Sequence, residues 1–348
     1  MESRIALGLA KKLENDFWCN TFLGDGKTPS PFKSKKDHLR SKVEESGVVI
    51  LSASEFCEIE VCAGEYAIEL GKPLVLMALF HGQLKKKEYA PFRQHISRVF
   101  VLDEDEAKTA QKLYPSAKVV VTGNPEWETF SFPIHTRDEV RNILKIASQE
   151  KFILVSGEKE LMVNVPLAVN MIEAVANLPY PEQFKIIFTI HPGHMPLPGG
   201  ADLLRFYKEL EEYHPKVSIR FSCKGDPFGI GTSDMVPGAD LVIGTNSTVQ
   251  IQAGYLRIPA IAILLRRAFR GIELPREHKE WWVPCDRGAI APVYGLSSNK
   301  TTELITTLLS AETAEGFVPM LEAQKRLFPT FTKVGQAYEA MAKAIEKL

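Results

Sequence analysis

Two turns in this sequence carry the residue types that bind phosphate. In "ADLVIGTNSTVQIQAGYLRIPAIAI" (residues 239–263) an apolar run stops at Gly244-Thr245-Asn246-Ser247-Thr248 and then resumes with helical spacing. A strand-to-helix turn of this kind presents unpaired backbone N–H groups and the positive end of a helix dipole, with hydroxyls alongside. Such a turn suits a phosphate or diphosphate. The same residues also suit an ordinary N-cap by Asn246 or Ser247. "FILVSGEKE" makes a similar offer where its apolar run ends at Ser156-Gly157. If that run is the first strand of a sheet, its turn lies near the sheet centre, close to the other one.

Histidines end two further apolar runs. "FKIIFTIHPGHMPLPGG" brings His191 to a strand end, where it either faces a ligand or serves as a structural loop histidine. Pro192, Gly193 and Pro196 forbid the helix that would put His191 and His194 on one face, so no metal pair is expected. "PLVLMALFHGQLKKKEY" sets His81 just past another strand end, as a general base or as a hydrogen-bonded loop histidine. Lys85, Lys86 and Lys87, with Lys33, Lys35 and Lys36, read as a solvated face or as a contact for an anionic acceptor or membrane surface. Asp103 and Glu106 are spaced as a capping box, which is enough to account for both. "GDGKTPSP" imitates a P-loop, but position 21 is threonine where that motif needs glycine, and Pro29 and Pro31 oppose the following helix.

The elements that must position these residues are short apolar runs separated by helix-length segments. "FWCNTFLG", "GVVILSA", "KPLVLMALF", "SRVFVLD" and "AKVVVTG" are the strands of a first unit. "KFILVSG", "FKIIFTIHPG", "KVSIRFS", "ADLVIGT" and "IPAIAILL" are those of a second. The helix over residues 55–70 carries an apolar stripe of Phe56, Ile59, Ala63, Tyr66 and Leu70, and Gly71 and Pro73 stop it. Such alternation predicts an α/β protein with parallel sheets covered on both faces. The junction falls in residues 125–149, with domains at 1–148 and 149–330 and a terminal helix over 331–348. The chain opens on a helix pattern with no strand or glycine-rich turn before it, so the first strand of the first domain is expected to be missing.

The chain has 348 residues and a formal net charge of −1, against a dedicated nucleic-acid binder. Its five cysteines are odd in number and lack a Cys-x-x-Cys pair, so they read as free thiols of a reducing compartment. No apolar stretch reaches the ~20 residues of a membrane span. A cytoplasmic protein is expected, with the lysine runs as the only pointer to a peripheral membrane contact.

In "AKVVVTGNPEWETF", "FILVSGEKE" and "ADLVIGTNSTVQIQAGYLRIPAIAI" the chain resembles the two-domain GT-B glycosyltransferases. The likeness is closest to the branch of lipid-A-disaccharide synthase and the non-hydrolysing UDP-N-acetylglucosamine 2-epimerases. The order of these segments fits from about residue 46 to 262. The resemblance implies two Rossmann-like domains facing a cleft, the second holding a nucleotide-diphosphate sugar, with UDP as the nucleotide. Ser156, Gly157, Gly244, Asn246, Ser247, Thr248 and His191 would meet the phosphates. Gln252 falls where the family has a glutamate that accepts from the ribose hydroxyls.

The implied reaction is transfer of the sugar to an acceptor, anionic or lipid-linked, with His81 taking the acceptor's proton. Domain closure would exclude water, and Trp127, Trp281 and Trp282 could stack on sugar or base. No cofactor or metal is implied beyond the nucleotide-sugar substrate. The acidic residues of the epimerase branch are not evident in "ILSASEF" or "LMALFHGQ", which favours the transferase. A 2-epimerase of the same fold and an inactive nucleotide-binding relative are the alternatives.

Overall fold

The computed structural model describes residues 32–52, 57–157, 161–189, 200–213, 218–222, 229–245, 247–264, 283–309 and 314–348. The chain divides into two compact units. One comprises the described residues up to Thr129 together with Phe331–Leu348, and the other is Phe130–Thr330. The division falls inside the 125–149 junction, ahead of residue 148, and the terminal segment belongs with the first unit.

The first unit is built on four parallel strands in the order β1 (Val49–Leu51), β2 (Leu74–Met77), β3 (Ile96–Val101) and β4 (Lys118–Val121). β2 is an apolar run buried throughout, as a strand covered on both faces requires, whereas β4 at the sheet edge is exposed at Lys118 and half-buried at Val119, Val120 and Val121. Helix α1 (Phe32–Glu45) precedes β1, α2 (Cys57–Glu69) follows it, and α3 (Glu104–Leu113) connects β3 to β4. Leu74, Leu76, Val99 and Val101 point into a core shared with Ala67 of α2 and Ala107 and Ala110 of α3. Val75, Met77 and Phe100 alternate to the opposite face, where Met341, Ala342 and Ile345 of the terminal helix (Gln336–Ile345) cover them. Helix α2 ends as expected, with Gly71 left-handed at φ 63°. The strand candidate "FWCNTFLG" and the expectation of a missing first strand lie outside the described residues.

The second unit opens with α4 (Arg137–Ile143), which belongs here because Arg137 and Arg141 both reach Asp240, at 2.6 and 3.1 Å. Its sheet contains β5 (Lys151–Ser156), β6 (Phe184–Thr189), β7 (Ser218–Ser222), β8 (Leu241–Gly244), β9 (Ala260–Leu264) and β10 (Ala291–Tyr294), all parallel. The strand order is β10-β9-β8-β5-β6-β7. The chain therefore winds outward from β5 through β6 to β7, returns to β8 beside β5, and winds outward the other way. Helices α5 (Leu161–Ala176), α6 (Gly200–Tyr213), α7 (Thr232–Met235), α8 (Thr248–Tyr255), α9 (Val283–Asp286), α10 (Ser298–Leu309) and α11 (Ala314–Leu327) complete the unit.

Strand alternation splits the core in two. Ile153, Val155, Ile243 and Ile263 pack with Met171, Ile172 and Val175 of α5, whereas Phe152, Leu154 and Val242 pack with Val140 and Leu144 at α4. Only β10 is unheralded in the sequence, because "APVY" carries a proline. It sits at the edge of the described sheet, where a missing N–H is tolerated.

Candidate functional site

The strand order places a reversal between β5 and β8, the position at which open α/β sheets hold ligands beyond their carboxyl ends. The register pairs Val155 with Ile243, so the next residues, Ser156 and Gly244, end the two strands side by side. Their turns meet: Ser156 Oγ donates to Ser247 Oγ at 3.1 Å. The two small-residue turns singled out in the sequence thus converge across the reversal.

Ser247 is the N-cap of α8, and its Oγ also accepts from Val249 N at 3.3 Å. With both acceptor positions of that oxygen engaged, its own O–H remains as a donor. A capping box completes the turn, because Ser247 N donates to Gln250 Oε1 at 3.0 Å. The buried Gln250 amide nitrogen in turn donates to Ile261 O at 2.6 Å and Gly244 O at 3.3 Å, fastening the turn to β8 and β9. The capping residue is a glutamine, so the box does not place a carboxylate at this helix start. Thr248, the first residue of α8, presents its backbone N–H and hydroxyl there, both without a partner among the described residues.

Gly157 plays a different part from the one expected. Its N–H donates to Thr189 O at 2.8 Å and is not available to a phosphate. A Cβ on Gly157 would come within 2.2 Å of Thr189 O and 3.0 Å of Asn164 Oδ1, so the residue is required by close approach of the chain.

Gln252 is 5% exposed. Its Nε2 donates to Ser233 O at 2.8 Å, while its buried Oε1 has no hydrogen-bond partner among the described residues. Asn246, His191, Trp281 and Trp282 lie outside the described residues. No group of three His, Cys, Asp or Glu side chains among the described residues is arranged to hold a metal ion. No described helix is long and apolar enough to cross a membrane.

In the first unit, His81 follows β2 and is buried, with its Nε2 2.9 Å from Asp103 Oδ2. Asp103 caps α3 through Glu106 N at 2.8 Å. The expected capping box is only half formed: Glu106 Oε1 accepts from Gly82 N, at 2.6 Å, on the loop that carries His81. Capping therefore does not account for Asp103 and Glu106 in full. Trp127 is 1% exposed and packs edge-on against Phe80, with ring centroids 5.3 Å apart, which removes it as a stacking platform for a ligand. Lys85 and Lys87 are exposed on the following turns.

No protein-family model and no curated protein matches the chain. Solved structures do. MnaA of S. aureus, in a co-structure with UDP, is 15% identical with a TM-score of 0.58, covering 99% of this chain and 93% of its own. The UDP-GlcNAc 2-epimerase of Neisseria meningitidis, bound to UDP-GlcNAc, is 15% identical with a TM-score of 0.56, covering 91% and 80%. A glycosyltransferase from Rickettsia africae is 11% identical with a TM-score of 0.52, covering 92% and 82%. Likeness at these identities is a likeness of fold, and the fold is GT-B: two α/β units, each on an all-parallel sheet.

Proposed function

We propose that the second unit binds the diphosphate of a UDP-sugar at the turn between β8 and α8, and that the protein transfers the sugar to an acceptor. The observation that carries this reading is the Ser156–Ser247 hydrogen bond at the reversal of strand order. Ser247 and Thr248 would donate to the phosphates from the start of α8, where no capping carboxylate competes for the helix dipole. These fixed donors would stabilise the charge that grows on the leaving diphosphate. Gln252 Oε1 would gain from a ribose hydroxyl the partner it lacks, which relieves the cost of an unpaired buried acceptor. His81 would take the acceptor's proton. No metal is assigned.

Epimerisation at C2 of a UDP-sugar is the second reading. Two observations favour it: the UDP-GlcNAc 2-epimerase among the structures of the same fold, and the buried carboxylates Asp103 and Glu106 beside His81.

Thermal unfolding against UDP, UDP-sugars, NAD and ATP tests the shared part of both readings. A ligand at 100 times its Kd stabilises by about 2.7 kcal/mol, and the expected Tm shift is roughly 2–4 °C per kcal/mol. A shift with UDP and its sugars alone supports the site, and no shift leaves the turn an ordinary helix cap. Proton NMR of a UDP-sugar with the protein and no acceptor then separates the reactions. Inversion at C2 selects the epimerase, and a donor consumed only when an acceptor is added selects the transferase.

A further inference from the structure

We infer that Asp103 is the positioning residue of His81, holding the ring with its proton on Nε2 and its lone pair on Nδ1. The inference rests on the reading above only for the use made of that lone pair. The loop around His81 is held from several sides. Gln83 Oε1 accepts from Leu79 N and Phe80 N at 2.8 and 2.9 Å. Asn124 Nδ2 donates to Leu79 O at 2.8 Å, and Glu106 takes the N–H of Gly82, which is left-handed at φ 89°. Side chains from three separate stretches thus fix the backbone on both sides of one histidine.

The carboxylate of Asp103 divides its two oxygens. Oδ1 accepts Glu106 N and Oδ2 faces His81 Nε2. An ionised carboxylate only accepts, so the ring must present a proton at Nε2, and in the neutral ring the lone pair then lies on Nδ1. Both residues are 3% exposed, so little water competes for the pair. The other carboxylate that reaches this loop, Glu106 of α3, is turned to Gly82 N, and Glu128, near Trp127, is turned to the N-terminus of the terminal helix.

The two duties of Asp103 can be separated by one substitution. Asparagine caps helices as well as aspartate does. In Asp103→Asn the single side-chain oxygen stays on Glu106 N, which turns the NH2 group toward His81 Nε2. That nitrogen must then accept, and the ring proton moves to Nδ1.

Nitrogen-15 spectra of the histidine rings, taken on the full chain without nucleotide and in the neutral range of the ring, read this directly. His81→Gln identifies the signal among the eight histidines, and through-bond correlation to the backbone does so without any variant. The expected pyridine-type nitrogen is Nδ1 in the natural protein and Nε2 in Asp103→Asn. A pyridine-type Nε2 in the natural protein overturns the assignment, and so does a spectrum that Asp103→Asn leaves unchanged.

Once product analysis has identified the reaction, Asp103→Asn is expected to lower kcat by ~100-fold or more while KM stays in place. An unaltered kcat would restrict Asp103 to a structural role. The ring spectra need no ligand, so a failed UDP shift would sink the nucleotide-sugar reading and leave the tautomer standing. The wrong tautomer beside a clear UDP shift would sink only the positioning role.

Discussion

Ser156 and Ser247 stand 91 residues apart in the chain and share one hydrogen bond of 3.1 Å. That bond joins the end of β5 to the turn that follows β8, on opposite halves of a doubly wound sheet. It also ties a hydroxyl on β5 to the cap of α8, so the stability of the cap and the proposed ligand site are coupled at one atom.

Ser247→Ala should therefore show two losses. Removing the cap costs about 1 kcal/mol in urea unfolding, and UDP affinity by calorimetry should fall by tenfold or more, about 1.4 kcal/mol. Ser156→Ala keeps the cap and should change stability by less than about 1 kcal/mol, with a smaller loss of affinity. Equal UDP affinity in both variants and the natural protein would detach the ligand from this turn.

Gly157→Ala tests close approach rather than ligand donation. The added Cβ meets Thr189 O at 2.2 Å, and overpacking of this kind costs about 1–3 kcal/mol. The expected result is a lowered urea midpoint without nucleotide. An unchanged midpoint would mean that β5 and β6 can separate there at little cost.

Glu128 tests what holds the terminal helix on the first unit. Its two carboxylate oxygens accept from Gln336 N and Ala337 N, both at 2.9 Å, at the start of that helix. A buried carboxylate on a helix N-terminus satisfies donors that the helix cannot satisfy itself. Glu128→Ala should cost about 2 kcal/mol and speed amide exchange at residues 336 and 337. Exchange at the natural rate would show that packing of Met341 and Ile345 suffices.

Half-buried Cys285 supplies a test of thiol chemistry. Its thiol is pushed up to about 12, first by burial and then by the neighbouring Asp286. Reaction with iodoacetamide needs the thiolate, so near about pH 8 Cys285 should stay unmodified in the folded protein and react once urea unfolds it. The elevated value favours the neutral thiol, so reactivity should return only as the pH approaches that value. Rapid labelling of Cys285 in the folded protein at about pH 8, read by mass spectrometry, would contradict the raised thiol value.

Much of the fold was legible in the sequence because its signals are local. A strand buried on both faces must be a short apolar run, which marked the described strands except β10, where Pro292 breaks the pattern. The two small-residue turns were legible for the same reason, since a strand end, small residues and a helix start are contiguous. Gly157 was expected to donate to a phosphate: the sequence shows a glycine in a turn, but only the fold shows its N–H spent on Thr189 O.

The sequence by itself determined the alternation of strands and helices and the residues at their ends. Period and composition act over neighbouring positions, and those are properties of the unfolded chain as well. The tertiary structure alone decided which ends meet. Reversal of the winding after β7 sets β8 beside β5 and brings Ser247 to Ser156. Parallel pairing of β2 with β3 sets the His81 loop against Asp103 and turns Glu106 away from its capping box. Partners of this kind are chosen by strand order and register, which depend on packing across the whole unit and leave no trace in spacing along the chain.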